Sequence, residues 1–380
     1  MNKNFDVIVL GLGAHGSSAI FHLSKNNLKV CGIDRFTPPH VFGSSHGQSR
    51  IIRQAYHESP MYVPLVKKAY KLWDELEQIS GKQLLLKTSG IILGDNAGAM
   101  IVKGAILSAE THNVPYEYLH SNEIKERFPA LKPTEDTVAV VEQSAGILFP
   151  EECIKTNLHL AANNGAELLY NEVVMSIVST NDTIEIVTDK DSYQTKKLIV
   201  SAGAWLNDLL PELHLPVNIK RQVLFWFKNT SEELQQFISA DKLPIYIWEY
   251  THGRIFYGFP DLGNGIKIAP HHEGQPLHPD LLSKEVSEEE INQMKNIIDE
   301  YFNVNTVFNY SDVCMYTNTP DEHFIIDHHP SNNNIIIASP CSGHGFKFSS
   351  AIGKILSDMA TGKALDFDIS PFSIKRFMIK

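Results

Sequence analysis

The first 34 residues constrain this chain more than any other stretch of it. Asp6-Val-Ile-Val-Leu10 is a short apolar run of the kind that forms a parallel strand buried on both faces. Gly11-Leu-Gly13-Ala-His-Gly16 follows, and Ser17 to Leu23 then sets Ala19, Ile20 and Leu23 on one side of a helix. Asn26-Asn27 ends that helix, and Lys29-Val-Cys-Gly-Ile-Asp34 is a second strand closing on an acid. This is one complete βαβ unit. Gly11 makes the turn, Gly13 lets the backbone approach a pyrophosphate, and Gly16 lets helix and strand pack closely, while the helix N-terminus offers free N–H groups to phosphates. Asp34 is placed to accept hydrogen bonds from ribose hydroxyls. A terminal acid fits a free 2′-hydroxyl, so FAD or NAD is favoured over NADP, and the pattern does not separate the first two.

The remainder reads as α/β, and α+β overall. Tyr62 to Ile79 carries Leu65, Ala69, Trp73 and Leu76 at helical spacing. Glu151 to Asn164 is a helix with Pro150 before it and Gly165 at its end. Val173–Ser179 and Thr183–Thr188 form a hairpin around Asn181-Asp182, and Lys197 to Gly203 is an apolar strand ending in small residues. From Pro216 to Tyr316 short runs rich in β-branched and aromatic residues (Gln222–Phe227, Pro244–Tyr250, Arg254–Phe259, Gly265–Ala269) imply a mainly antiparallel sheet, interrupted by a charged helix from Ser287 to Tyr301. Asn334–Ala338 is again a buried strand, Gly343-His-Gly345 a tight turn, and Phe346–Ala360 a helix. The expected division is a discontinuous Rossmann-type cofactor domain, 1–85, 150–215 and 321–380, with a mainly antiparallel substrate domain in 86–149 and 216–320.

Charge and cysteine usage narrow the partners. A net charge of −11 argues against nucleic-acid or anionic-membrane binding, which needs a basic face. No stretch approaches the ~18 apolar residues of a membrane span, and no signal-peptide core precedes the first strand. Cys31, Cys153, Cys314 and Cys341 form no CxxC pair. A reducing cytoplasm fits them better than a disulfide framework or zinc site.

Several motifs stand in order: Gly11-x-Gly13-x-x-Gly16, Pro38-Pro-His40, Gly43-Ser-Ser-His-Gly47, Arg50-Ile-Ile-Arg53, Tyr257-Gly-Phe-Pro260, Cys314-Met-Tyr316, Asp321-Glu-His-Phe-Ile-Ile-Asp327 and Ser342-Gly-His-Gly-Phe-Lys-Phe348. Across essentially the whole chain they resemble the monomeric sarcosine oxidase and N-methyltryptophan oxidase family of FAD-dependent amine oxidases. The resemblance implies a monomer with FAD held covalently, 8α-S-cysteinyl, and oxidation of a small N-methyl amino acid by O2 to amino acid, formaldehyde and hydrogen peroxide. It assigns Cys314 to the covalent bond and Lys267 to oxygen activation over the flavin. Arg50 falls beside the ring, Arg53 and Lys347 on the substrate carboxylate, and Tyr257, Tyr316 and His271 around the substrate amine. Ser44, Val174, Gly343, Gly345 and Lys347 join the glycine loop and Asp34 around the cofactor. Gly258 to Lys267 departs from the family, being one residue shorter than in sarcosine oxidase.

Read without the resemblance, these positions are plainer. Cys314 between Val313 and Met315 is a core thiol. Lys267, flanked by Ile266 and Ile268, points away from their face and reads as a solvated lysine. Lys347 sits in the first turn of the last helix, where the macrodipole disfavours a cation unless an anion binds nearby. Residues 46–55 read equally as helix or strand. His271-His272 lacks the carboxylate–His pattern of a metal site, and His328-His329 reads as a solvated turn. Tyr246, Trp248 and Tyr250 share a face that either joins the core or lines a pocket for a bulky aromatic substrate. The competing functions are another FAD-dependent oxidase of glycine, a D-amino acid or a cyclic imino acid, an NAD-dependent dehydrogenase, and a binding protein that has lost its chemistry.

Overall fold

A computed structural model describes residues 3–180 and 183–377. The opening βαβ unit is present: strand Asn4–Leu10, helix Ala14–Ser24 and strand Val30–Asp34. The two strands run parallel, with Ile8 opposite Cys31 and Leu10 opposite Ile33. On the other side of the first strand lies Ser192–Val200, also parallel, and alongside the last residues of that strand runs Asn332–Ser339, parallel again, so residues distant in sequence complete one sheet. Val174–Ser179, Ile184–Thr188, Glu167–Tyr170 and Ile325–His329 bring this sheet to eight strands. The tip of the expected hairpin, Asn181-Asp182, lies outside the described residues.

Helices cover the sheet because its central strands are buried along nearly their whole length. The first helix meets the last, Ser349–Thr361, so closely that a Cβ on Gly353 would come within 2.2 Å of the Ser18 hydroxyl. Helix Val63–Ser80 buries Leu65, Ala69, Trp73 and Leu76, the stripe expected from their spacing, and stops at Gly81, whose φ is +66°.

A second eight-stranded sheet runs in the order Thr306–Asn318, Asn218–Asn229, Ile266–Pro270, Arg254–Phe259, Ile245–Thr251, Gly90–Gly94, Val138–Glu142, Glu117–His120. Every neighbour is antiparallel except Ile245–Thr251 with Gly90–Gly94. Helix Glu288–Tyr301 packs on it, opened by Ser287 and Glu290, which cap each other's backbone N–H groups. A small third sheet ties Arg50–Ile52 to Gly146–Leu148 and Leu85–Lys87, and it settles residues 50–52 as strand.

The expectation for His328-His329 fails, and the open alternative for the Tyr246–Tyr250 stripe is decided. His328 and His329 end a strand rather than forming a solvated turn, and His329 is buried with Nε2 3.1 Å from the Glu212 carboxylate. Tyr246 and Trp248 are fully buried in the second sheet's core and Tyr250 lies half-buried against it, so the stripe is core, not pocket lining.

Candidate active site

The glycine loop is shaped by three different demands. Gly11 has φ +82°, and a Cβ there would press within 2.6 Å of the Ser201 carbonyl oxygen. A Cβ on Gly16 would fall 1.8 Å from the Gly11 carbonyl, so strand and helix meet with no room for a side chain. At Gly13 the nearest protein atom to such a Cβ is Ser45 Oγ at 3.8 Å. Packing does not require glycine at that position; a backbone open to a bound phosphate does. Asp34 accepts from Leu12 N (2.7 Å) and Phe36 N (2.8 Å), which fixes the loop against the second strand. Burial raises its carboxyl to about 6 against the pull of those two bonds.

From this loop one cavity of about 350 Å³ extends to the second sheet. Gly11, Gly13, Asp34, Ser44 and Val174 line it, as do Arg50, Arg53, Tyr257, His271 and Tyr316. Gly343, Gly345 and Lys347 complete the wall. The donors and open glycine backbone at the loop, continuous with a cationic and phenolic region, fit an extended dinucleotide with its ring system toward the second sheet.

Tyr257, His271 and Tyr316 come from three separate strands or strand ends. Tyr316 Oη lies 3.3 Å from Tyr257 Oη and 3.4 Å from His271 Nδ1, both long contacts. Burial holds His271 well below the usual histidine range, with His272 adding to the effect, so the ring is neutral.

Arg53 follows the strand Arg50–Ile52 and is buried. Its Nη1 donates to Ala55 O (2.8 Å), and its Nη2 lies 2.6 Å from Glu58 Oε2 and 2.9 Å from His57 Nδ1. Its Nε has no partner among the described residues. Lys347 belongs to a 3-10 turn, Phe346–Phe348, that precedes the last α-helix, rather than to the helix itself. The expected conflict with the helix dipole is eased because Nζ donates to His344 O at 2.7 Å. Burial, then repulsion from Arg53, lowers this lysine to about 7. Glu58 and His57 were absent from the sequence reading, although both line the cavity beside Arg53.

Lys267 and Cys314 lie behind the main cavity, not on its wall. Lys267 is buried, contrary to the solvated lysine its strand alone implies, and points opposite to Ile266 and Ile268. Its Nζ donates to Gly47 O (2.6 Å) and Ser49 Oγ (3.0 Å), beside a separate cavity of about 10 Å³. Burial, then the Arg50 guanidinium, pushes it well below the ordinary lysine range. Cys314 is a free, buried thiol against Leu224, Trp226 and Ala269. Burial raises its pKa while the Arg50 and Lys267 charges oppose that. Arg50 lines the cavity and donates to Ser44 O (2.7 Å), which joins the two regions. Cys341, another free thiol, lines the cavity at a position the sequence did not single out. His271 and His272 join no cluster able to hold a metal among the described residues.

A parallel sheet with this glycine loop, completed by remote segments and facing a cationic pocket on an antiparallel sheet, defines a dinucleotide-dependent oxidoreductase. The chain belongs to the FAD dependent oxidoreductase family, which matches residues 6–359. It is similar to monomeric sarcosine oxidase from Bacillus sp. (strain B-0618), 38% identical over 100% of this chain and 98% of that one. It is also similar to N-methyl-L-tryptophan oxidase from Escherichia coli K12, 35% identical over 98% and 99%. The L-proline dehydrogenase of P. horikoshii shares the fold, with a TM-score of 0.84 and 21% identity over 100% of this chain and 99% of that chain. Membership of an FAD family sets aside the nicotinamide reading.

Proposed function

We propose that this chain is an FAD-linked oxidase that demethylates a small N-methyl amino acid, using O2 and releasing amino acid, formaldehyde and hydrogen peroxide. One observation carries the reading: Arg53 and Lys347 share a cavity wall with the Tyr257–Tyr316–His271 cluster, so an anion and an amine have adjacent places. FAD, when bound, supplies the acceptor for the two electrons and hydrogen taken from the substrate carbon, and passes the electrons to oxygen. The chain's own residues do the rest. Arg53 and Lys347 bind the carboxylate as donors. Tyr257, Tyr316 and His271 orient or deprotonate the substrate amine, because only the neutral amine has a lone pair to drive oxidation.

Around the cofactor, the loop of Gly11, Gly13 and Gly16 would hold the pyrophosphate, Asp34 the ribose, and Ser44 and Val174 the middle of the molecule. The backbone N–H groups after Gly343 and Gly345 would face the ring and favour negative charge on it. Lys267 would favour charge developing on oxygen, and Cys314, sharing a strand face with Tyr316, is assigned the covalent 8α-S-cysteinyl bond. The segments of the first sheet form the cofactor domain in this reading and those of the second the substrate domain. We assign a monomer in a reducing cytoplasm; no disulfide joins the four cysteines, and no helix of the described residues is long and apolar enough to cross a membrane.

Two measurements test it. Assays over a panel of amines, reading peroxide and formaldehyde separately, should show both products in equal amounts from an N-methyl amino acid. Peroxide without formaldehyde from every compound would move the reading to a glycine, D-amino acid or cyclic imino acid oxidase. Acid precipitation should leave the yellow colour in the pellet; colour in the supernatant would remove the covalent bond to Cys314.

A further inference from the structure

Glu142 ends the strand Val138–Glu142 of the second sheet, opposite Gly90, and is 3% exposed. Its carboxylate does not meet a cation. It accepts instead from Gln54 N (3.0 Å to Oε1, 2.8 Å to Oε2), from Ala55 N (2.7 Å to Oε2) and from the Ser144 hydroxyl. The two N–H groups belong to the residues directly after Arg53. Arg53 in turn donates from Nη1 to the Ala55 carbonyl, so Glu142 fixes one side of this short turn and the arginine closes the other. Gln54 Nε2 donates to Ser144 Oγ (3.0 Å) and Tyr70 Oη to Ser144 O (2.9 Å), which anchors the acceptor itself.

A buried carboxylate without an ion-pair partner is a costly choice for satisfying two backbone N–H groups, because a neutral acceptor would do so without the desolvation penalty of a charge. Charge-assisted bonds are shorter and about twice as strong as neutral ones, and they fix geometry more tightly. Substrate-binding donors lose efficiency on displacements of about 1 Å. We infer that Glu142 is a positioning residue: it locks the backbone from which Arg53 projects and so sets the place of the guanidinium that receives the substrate carboxylate. The inference rests on the assignment of Arg53 under the proposed function.

The test uses the flavin-loaded protein and propionate, a carboxylate without an oxidisable amine, titrated by its perturbation of the flavin spectrum and by calorimetry. Glu142→Gln keeps size and leaves one oxygen for the two backbone N–H groups, which both bond to Oε2, but removes the charge that strengthens those bonds. It should weaken propionate about tenfold, and raise KM for an N-methyl amino acid by a similar factor with kcat changed less than threefold. A double-mutant cycle separates positioning from general loosening. In an Arg53→Met background, Glu142→Gln should weaken propionate no further. Equal weakening in both backgrounds, or wild-type affinity in Glu142→Gln beside a lost one in Arg53→Met, overturns the role of Glu142 while leaving Arg53 in place. An Arg53→Met protein that binds propionate as wild type does sinks the Arg53 assignment, and with it the route by which Glu142 acts. Should Glu142→Gln not fold with flavin, Glu142→Asp keeps the charge but withdraws it from both N–H groups and must give the same non-additive pattern.

Discussion

The guanidinium of Arg53 and the carboxylate of Glu58 form a largely buried ion pair, Nη2 to Oε2 at 2.6 Å, on the wall of the cavity. Burial pushes Glu58 up, but Arg53, with His57, holds it well below the usual carboxylate range, so it is charged at neutral pH. An internal anion therefore occupies one face of the cation assigned to the substrate. A carboxylate that enters must share or displace it. Glu58→Gln removes the competitor, and propionate should bind roughly tenfold more tightly at pH 6.5, about 1.4 kcal/mol. Titration of the holoenzyme checks this, and unchanged or weaker binding would mean that Glu58 holds Arg53 ready instead of opposing the ligand.

Lys347 should give the proposed carboxylate site a pH dependence whose sign is fixed by burial. With its ammonium lowered to about 7 by burial and by Arg53, the lysine is cationic below that pH and neutral above it. Anion binding draws on the cationic form, so the Kd for propionate should stay level below pH 7. Above pH 7 it should rise by up to tenfold per unit, since each unit lowers the charged fraction of the lysine by a further factor of about ten. Lys347→Met should bind weakly at every pH with no such rise. A level Kd from pH 6 to 9 in the unaltered protein removes Lys347 from the site.

Lys267 has two carbonyl oxygens and a hydroxyl around its Nζ and no acid bonded to it. A structural role would be served by those bonds alone; a role toward oxygen would show only in one half of the reaction. Lys267→Met should slow reoxidation of the reduced enzyme by roughly 100-fold or more, the scale of losing one preorganised donor to developing charge. Anaerobic reduction by substrate should change less than tenfold. Stopped-flow absorbance of the two half-reactions decides it, and equal slowing of both would make Lys267 a packing residue.

What could be read from the sequence follows from how local each cause is. The loop from Gly11 to Gly16 and the acid Asp34 lie within one βαβ unit, so their spacing carries their geometry. The helix from Val63 to Ser80 is legible because its buried stripe repeats every three to four residues. Gly90–Gly94 is buried at all five positions with no alternation to mark it, and its parallel neighbour Ile245–Thr251 lies some 150 residues on. Glu58 and His57 escaped because nothing in their own neighbourhood distinguishes a surface acid from one turned inward; only the fold brings them against Arg53. Lys267 misleads for the same reason. Its strand neighbours show which way it points, but not that Gly47 and Ser49 close over it.

Ile247 lines the cavity from the reverse of a readable strand. The bulky aromatics Tyr246 and Trp248 drew attention to one face, and that face belongs to the core. Ile247, between them, turns to the opposite side and lines the cavity with Tyr257 and His57. A β-branched side chain there takes up volume that a larger amino acid would need. Ile247→Ala removes three carbons, and contacts of this kind are worth about 1–3 kcal/mol per methylene in a well-fitted pocket. The ratio of kcat/KM for an aromatic N-methyl amino acid to that for sarcosine should therefore rise by roughly tenfold or more, with thermal unfolding measured alongside to account for lost packing. A ratio that stays level, in a variant that still folds and holds flavin, would place the substrate side chain away from Ile247 and shift the search for specificity to the Met315 and His344 side of the cavity.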